Sequence, residues 1–440
     1  MKVLKFGGTS VGSPQRMQDV AKLITDGEKK IVVLSAMSGT TNTLVEISDY
    51  LYKKNPDGAN DVINKLEQKY KQHLKELFTT EEYRQKTREV LDNIFAGIRA
   101  FTKDIFTLFE EKVILAQGEL MSTNMMTNYL QEQGINAVLI PALEYMRTDK
   151  NAEPDPVYIR EKLAVQLQKY PDADIYITQG FICRNAYGEI DNLQRGGSDY
   201  TASLIGAAVD ATEIQIWTDI DGMHDNDPRI VDHTSPVRQL NFDEAAELAY
   251  FGAKILHPTC IQPAKFANIP VRLLNTMDPT APGTMISNNT EHGKIKAVAA
   301  KENITAIKIK SSRMLLAHGF LRKVFEIFES YQTSIDMVCT SEVGVSMSID
   351  NTKHLAEIIA DLKKYGTVTV DEGMCIICVV GDLTWENIGF ETLAMKALKD
   401  IPVRMVSYGG SNYNISFLIR EEDKKRALQS LSDTLFNHNK

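Results

Sequence analysis

The sequence lacks the marks of a membrane, secreted or nucleic-acid-binding protein. No apolar run among its 440 residues reaches transmembrane length, and Met1–Leu4 is too short for the apolar core of a signal peptide. The five cysteines are scattered and odd in number, so a disulfide framework is not expected. No basic run accompanies the net charge of −9. These absences predict a cytoplasmic protein without membrane or nucleic-acid partners.

Short apolar strands alternate with helical segments from residue 1 to about 290, which is typical of an α/β domain with a mainly parallel sheet. A charged helical stretch from Asn60 to Phe109 is expected to cover the substrate side. The predicted strands are Ile31–Ser35, Ala137–Pro141, Ile175–Gln179, Ile214–Trp217 and Val271–Leu274.

Beyond residue 300 a β-α-β-β unit occurs twice, which predicts a duplicated small α+β module. The first copy has a helix at Phe320–Tyr331, and the second has one from Trp385 to Lys399. We therefore expect three domains: 1–290, 300–370 (which the segment 420–440 could complete) and 371–419.

The first segment with chemical character is Lys5-Phe6-Gly7-Gly8-Thr9-Ser10, which directly follows a short strand. Ser13 and Pro14 suit the start of the next helix, so backbone N–H groups and a helix dipole would face an anion here. Ser13-Pro14 stand where a Walker A loop needs Lys-Ser/Thr, so this is a different phosphate turn. A turn built only for backbone geometry is the alternative.

Four further segments share this character. Small hydroxyl residues follow a strand at Ser35–Asn42, and Glu119 could accept hydrogen bonds from an ammonium group. Arg195-Gly-Gly-Ser198-Asp199 combines an arginine suited to a carboxylate with glycines that admit an anion. Strand-terminal acids, an arginine and a lysine, as Mg-ATP would require, occur in Trp217–Gly222, Asp227-Pro-Arg229 and Phe251–Lys254. The alternative for Ser35–Asn42 and for the acidic segment is an ordinary turn, and Glu119 near a helix start could merely interact with the helix dipole.

Taken in order, KFGGTS, LSAMSGTTN, QGE, RGGSDYTA, WTDIDG, DPR and FGAKILHP closely resemble the aspartate kinases of the amino-acid-kinase family, over nearly the whole chain. The resemblance implies the amino-acid-kinase fold, a mainly parallel sheet with helices on both faces, followed by two ferredoxin-like ACT modules. It implies ATP-dependent phosphorylation of the side-chain carboxylate of L-aspartate, the first step toward lysine, threonine and methionine.

The resemblance also implies roles for individual residues. Lys5, Asp199 and Lys254 would be catalytic, with Asp199 positioning the lysines or a metal-bound phosphate. Aspartate would be held by Ser35, Thr41, Glu119, Arg195 and Ser198. ATP would be contacted by Lys5, Gly7, Gly8, Ser10, Thr218, Asp219, His224, Arg229 and Lys254, and Mg²⁺ would bind through the nucleotide. Gln194 and His224 depart from the glycine and tyrosine that are usual in the family.

The proposed acceptor needs no general base, because a carboxylate with a pKa of about 3.9 is already ionised at neutral pH. The barrier lies in bringing two anions together, which positioning and positive charge overcome. A site rich in lysine, arginine and backbone amides, without a histidine base, fits this demand.

The first module is similar to that of lysine-inhibited aspartate kinases, which implies L-lysine as an inhibitor and a homodimer formed through the ACT modules. The implied effector residues are Met314, Gly319, Phe320, Leu321, Asp336, Ser341 and Glu342. A helix start at Gly319 suits a carboxylate, and Asp336 or Glu342 suits a cationic group. Modules that only dimerise are the alternative.

Two other functions remain open. The chain could be a related kinase of the same fold, acting on glutamate, N-acetylglutamate or a carbamate, although QGE and RGGSDYTA fit these less well. It could also be a non-catalytic amino-acid sensor with a kinase-like domain. A fused homoserine dehydrogenase is not expected, because no Rossmann fingerprint occurs.

Overall fold

The computed structural model describes residues 1–103, 105–193, 196–252, 256–312 and 318–436. It forms two compact units: Met1–Met223 with Ile255–Asn288, and His224–Lys254 with Asn289–Lys440. Three predicted site residues, Arg195, Lys254 and Met314, lie outside the described residues.

The helices and strands have the following bounds. The strands are β1 (Lys2–Phe6), β2 (Lys30–Leu34), β3 (Ala137–Leu139), β4 (Ile175–Gln179), β5 (Ile182–Arg184), β6 (Ile190–Asn192), β7 (Glu213–Thr218), β8 (Gln239–Asn241), β9 (Val271–Asn275), β10 (Thr284–Ser287), β11 (Ile295–Lys310), β12 (Met337–Ser341), β13 (Gly344–Ile349), β14 (Thr367–Gly381), β15 (Met405–Tyr408) and β16 (Asn414–Arg420). The helices are α1 (Pro14–Ile24), α2 (Thr40–Tyr52), α3 (Pro56–Leu77), α4 (Glu81–Ala100), α5 (Leu108–Glu132), α6 (Pro156–Gln168), α7 (Gly197–Ala208), α8 (Phe242–Tyr250), α9 (Gln262–Phe266), α10 (Phe320–Ser330), α11 (Leu355–Leu362), α12 (Phe390–Ala397) and α13 (Lys424–Leu435).

The first unit is built on a mainly parallel sheet in the order β3-β4-β2-β1-β7-β9-β10, in which only β10 runs antiparallel to its neighbour β9. Every residue of β2 and β4 is buried, as expected for strands whose two faces are both covered. The five strands predicted from the sequence are confirmed to within two residues. The short β10, close to the predicted domain limit at residue 290, was not predicted.

The charged stretch after residue 55 forms the long helices α3 and α4, which confirms the predicted helical insertion. Both are amphipathic, and they share one apolar core with α1, α2 and α5. Helix α5 begins at a capping box, in which Thr107 and Glu110 satisfy each other's backbone N–H groups. The insertion touches the loop after β2, because Lys69 donates a 3.3 Å hydrogen bond to the carbonyl of Ser38.

The second unit contains a six-stranded antiparallel sheet in the order β12-β13-β11-β14-β16-β15. Its long strands β11 and β14 pair along nearly their whole length and pass through both halves of the sheet. Helices α10 and α11 cover one half, and α12 and α13 cover the other. The repeated β-α-β-β order is confirmed. However, the second helix starts at Phe390 rather than Trp385, because Gly389 caps it with a left-handed φ of 95°.

No helix in the described ranges is long and apolar enough to cross a membrane.

Candidate active site

Three motif-bearing segments of the first unit meet at one edge of the sheet. Phe6, at the end of β1, pairs in parallel with Leu34 of β2 and with Trp217 of β7. The residues that follow these strands therefore leave the sheet side by side. This carboxyl edge is where α/β sheets bind ligands.

The glycine turn after β1 packs closely against the loop after β2. A Cβ at Gly8 would lie 2.9 Å from the carbonyl oxygen of Ala36, and Ser38 N–H donates a 3.1 Å hydrogen bond to the Gly8 carbonyl. A side chain at position 8 would push these two loops apart. Ser10 is fully buried, and its hydroxyl lies 2.7 Å from that of Thr276, so it supports the turn from behind.

Lys5 and Asp199 form an ion pair at this edge. Their charged groups are 2.7 Å apart, and the side chains are only 11% and 14% exposed. Lys5 lies on β1 and Asp199 in the first turn of α7, so the pair joins the glycine turn to the start of that helix. The Lys5 ammonium also lies 3.5 Å from the position that a Cβ at Gly7 would take.

A cavity of about 330 Å³ opens beside this edge. It is lined by Gly8, Ser35, Ala36, Met37, Ser38, Gly39, Thr41, Asn42, Glu119, Phe181, Gly197 and Ser198. Four of the residues predicted to hold the acceptor substrate therefore lie around one cavity: Ser35, Thr41, Glu119 and Ser198. The fifth, Arg195, lies outside the described residues.

Among the described residues that line this cavity, Glu119 is the acidic one. It lies in the middle of α5 and is only 4% exposed, and one carboxyl oxygen accepts a 3.1 Å hydrogen bond from Ala36 N–H. The other, Oε2, has no hydrogen-bond partner among the described residues. Burial raises the pKa of Glu119 to about 8, against the opposing effect of the Ala36 hydrogen bond. A cationic ligand group would satisfy both the free oxygen and the charge.

The part of the cavity wall around Ser35 and Ser198 depends on two glycines that allow close packing. Ser35 donates a 2.9 Å hydrogen bond to the hydroxyl of Ser198, and a Cβ at Gly180 would lie 2.5 Å from that same hydroxyl. A Cβ at Gly197 would lie 2.4 Å from the ring of Phe181, which itself has a left-handed φ of 68°. These contacts fix two adjacent hydroxyl groups at the cavity wall.

The predicted nucleotide residues are divided between the two units. Thr218 ends β7 at the same sheet edge, and the exposed Asp219 follows it. His224 and Arg229 belong to the second unit. His224 Nδ1 lies 2.9 Å from the hydroxyl of Thr234, and Arg229 forms a two-pronged contact with Asp227 at 2.9 and 2.7 Å.

The predicted effector residues lie at the start of α10 and at both ends of β12, since Asp336 directly precedes this strand and Ser341 ends it. Gly319 caps α10 with a φ of 81°, followed by the buried Phe320 and the exposed Leu321. Ser341 and Glu342 are exposed at the β12–β13 turn. By contrast, the carboxylate of Asp336 is buried and is already paired within the second unit.

Several contributors to the cavity were not predicted as site residues. Met37, Ser38, Gly39, Asn42, Phe181 and Gly197 also line it, and Ala36 N–H holds Glu119 in place. The sequence signal for most of them was their presence within the motifs already recognised. Tyr70 was not predicted as a site residue, because it lies on α3 in the helical insertion, away from the recognised motifs. Its buried hydroxyl lies 2.8 Å from that of Thr40, directly behind the cavity loop.

Comparisons with known proteins agree with this arrangement. The amino acid kinase family model matches residues 1–275, and an ACT domain model matches residues 377–435. Lysine-sensitive aspartokinase 3 of Escherichia coli (strain K12) is 33% identical, covering 99% of both chains. Aspartokinase 1, chloroplastic, of Arabidopsis thaliana is 35% identical, covering 99% of this chain and 80% of that protein.

Two crystal structures of E. coli aspartokinase III are also similar, each 33% identical. The complex with aspartate and ADP (R-state) has a TM-score of 0.86 and covers 99% of this chain and 100% of that one. The complex with lysine and aspartate (T-state) has a TM-score of 0.79 and covers 99% of each. The full-length relatives, the family models and the fold together place this chain in the amino acid kinase family, as an aspartokinase.

Proposed function

We propose that this aspartokinase transfers the γ-phosphoryl group of ATP to the side-chain carboxylate of L-aspartate, forming 4-phospho-L-aspartate and ADP. The main observation is the buried carboxylate of Glu119, which lines a cavity next to the Lys5–Asp199 pair. Its Oε2 has no hydrogen-bond partner within the described part of the chain. An amino-acid ammonium is the ligand group that this oxygen lacks. Similarity to a structure with bound aspartate and ADP supports the proposal.

In this reaction a carboxylate oxygen of aspartate forms a bond to the γ-phosphorus, and the bond from that phosphorus to the bridging oxygen of ADP breaks. No proton has to be removed, because the acceptor is already ionised. The chain's residues must therefore hold two anions in line and offset their charge. Lys5 lies at the sheet edge for this purpose, and Asp199 fixes the position of its ammonium.

The other predicted site residues would bind either aspartate or the nucleotide. Ser35, Thr41 and Ser198 would hold aspartate, with Glu119 on its ammonium and Arg195 on its α-carboxylate. The glycine turn with Gly7 and Gly8, together with Thr218 and Asp219, would face the nucleotide, joined by His224, Arg229 and Lys254. Ser10 would contribute through the turn that it supports, since its hydroxyl contacts Thr276.

Mg²⁺ would arrive with the nucleotide. Within the described residues, no group of three His, Cys, Asp or Glu side chains could hold a metal ion. Mg²⁺ keeps several waters and commonly binds through substrate phosphates, so a site completed by ATP suits it. When bound, it would neutralise part of the phosphate charge.

L-lysine is proposed as the inhibitor, acting through the second unit. Similarity to the lysine-bound T-state structure of E. coli aspartokinase III supports this. The effector carboxylate would meet the start of α10 at Gly319, near Phe320 and Leu321, and Ser341, Glu342 and Asp336 would face its polar groups, with Met314 completing the site.

A homodimer through the ACT modules is proposed as well. Val338 and Val406, on the outer strands β12 and β15, are 39% and 38% exposed and offer apolar surface. Sedimentation should give about twice the chain mass of 49.3 kDa, and a monomer at all concentrations would contradict the dimer.

The catalytic test is ADP release that depends on aspartate in the presence of Mg-ATP, with hydroxylamine added to trap the acyl phosphate as a hydroxamate. Glutamate and N-acetylglutamate serve as competing acceptors. Turnover with aspartate alone supports the proposal. Absence of turnover in a folded protein that binds lysine would instead identify a sensor.

A further inference from the structure

Four side chains of the second unit form a cluster, here called the Asp336 cluster: Tyr250, Lys301, Asp336 and Asp350. Asp336 Oδ1 accepts a 2.7 Å hydrogen bond from the Tyr250 hydroxyl and lies 2.8 Å from the Lys301 ammonium. Lys301 also pairs with Asp350 at 2.9 Å, and its ammonium lies 4.4 Å from the centre of the Tyr250 ring. Asp336 thus already holds a cation of the kind that an amino-acid effector carries.

The cluster has capacity for one more cation. The Asp336 side chain is 1% exposed, and its second oxygen, Oδ2, has no hydrogen-bond partner in the described part of the chain. Burial and the bond to Asp336 raise the pKa of Tyr250 to about 12, so the phenol is neutral at physiological pH. Two carboxylates then share a single ammonium, and because Asp350 is 42% exposed to solvent, the buried Oδ2 of Asp336 is the acceptor that a further cation would satisfy.

The cluster includes the end of α8 and lies beside the glycine that follows it. Tyr250 is the last residue of α8, and Lys254 follows four positions later in the sequence. Between them, Gly252 has a left-handed φ of 120°, and a Cβ there would lie 2.1 Å from the carbonyl oxygen of Ala300. The backbone at Gly252 is therefore pressed against β11 directly beside Lys301.

We propose that Tyr250 is a positioning residue that couples the proposed effector site to the end of α8, which precedes Lys254 in the sequence by four residues. Its hydroxyl, held by Asp336, keeps the end of α8 in the active arrangement, and an effector ammonium that binds Asp336 displaces this bond. The inference rests on the proposed inhibition by lysine. An effector can shift such an equilibrium only through its different affinity for the two states, and competition for one carboxylate supplies that difference.

The variant Tyr250→Phe tests the coupling, because it removes the donor and keeps the ring beside Lys301. A hydrogen bond to a charged group that forms only in the active state stabilises that state, so its loss should lower the inhibition constant for lysine about tenfold. An unchanged or higher inhibition constant would overturn the inference.

Tyr331→Phe is the matched control. Tyr331 also donates to a carboxylate of the second unit, Asp361, at 2.8 Å, but it lies outside the cluster. Loss of a purely structural hydrogen bond would lower the melting temperature of either variant without changing its inhibition constant. Only a change in the inhibition constant that is specific to Tyr250→Phe therefore supports coupling.

The wild-type titration separates the two proposals. If lysine does not inhibit the wild-type enzyme, the proposed regulation fails, and the coupling fails with it. If lysine inhibits the wild type and Tyr250→Phe with the same constant, the regulation stands and only the coupling is refuted.

Discussion

Replacing Glu119 by glutamine should stabilise the protein while impairing its use of aspartate. Burial raises the pKa of Glu119 from 4.5 to about 8, so the folded chain keeps a proton that the unfolded chain releases. In this pH interval the unfolded state binds fewer protons, and stability therefore falls as the pH rises. Glutamine is neutral at every pH and escapes this loss.

The magnitude follows from the size of the pKa shift. Each unit corresponds to about 1.4 kcal/mol, so from pH 5 to pH 7.5 the wild type should lose about 3 kcal/mol of stability relative to Glu119→Gln. Denaturant unfolding of the ligand-free proteins at both pH values measures this difference, with a probe specific for the first unit.

Glu132→Gln, on the same helix, is the matched control. Burial acts to raise the pKa of Glu132, but hydrogen bonds from Thr80 and Thr79 lower it overall. This glutamate stabilises the fold above its unfolded-state pKa and loses that effect only in more acidic solution. Its replacement should therefore destabilise the protein by the same amount at pH 5 and pH 7.5.

The same substitution that stabilises the protein should weaken its binding of aspartate. Without a carboxylate opposite the substrate ammonium, the KM for aspartate should rise about 10- to 100-fold in Glu119→Gln. In the wild type, KM should fall as the pH rises toward 8, because only the ionised acid pairs with the ammonium. A Glu119→Gln enzyme that is less stable than the wild type at pH 7.5, with an unchanged KM, would refute the reasoning.

Three further variants test the sheet edge and the effector site. Lys5→Ala should lower kcat by at least about 100-fold in a folded protein. The control Lys2→Ala, on the same strand but in an exposed ion pair with Glu28, should retain wild-type kcat. Equal kcat values for the two variants would refute the phosphate role of Lys5. Gly8→Ala should sharply reduce kcat/KM, because its Cβ would lie 2.9 Å from a backbone carbonyl oxygen. The control Gly97→Ala, in open space on a helix, should be active and slightly more stable. Full activity of Gly8→Ala would contradict the close packing. Glu342→Ala should weaken lysine inhibition and leave uninhibited kcat unchanged, as a lysine titration would show, and an unaltered inhibition constant would remove Glu342 from the effector site.

Local sequence signals predicted the buried parallel strands of the first sheet, because such strands are apolar runs and their ends carry glycines and hydroxyl residues. They did not predict strand order. The neighbours of β1 are β2 and β7, which are far apart in the sequence, and their pairing depends on tertiary packing. The domain limits stay a prediction, because β11 and β14 run through both halves of the second sheet.

The sequence predicted which residues belong to the cavity better than it predicted their environment. Glu119 appeared near a possible helix start, where a dipole contact would explain it, but it lies in mid-helix and is buried. Ser10 was predicted to contact ATP, but its hydroxyl contacts Thr276, which follows a strand distant in the sequence. Asp336 appeared available to an effector, but Lys301 already pairs with it. Each difference arises from contacts remote in sequence.

These environments suggest how a site for two anions avoids unbalanced charge before its ligands arrive. The Lys5 ammonium is offset by Asp199, and a protonated Glu119 adds no charge at neutral pH. Aspartate binding would cause Glu119 to lose its proton, so the ion pair between Glu119 and the substrate ammonium would form only with the substrate in place. Binding measured in two buffers of different ionisation enthalpy should then reveal proton release below pH 8, because a group that changes its pKa on binding must exchange protons with the solvent.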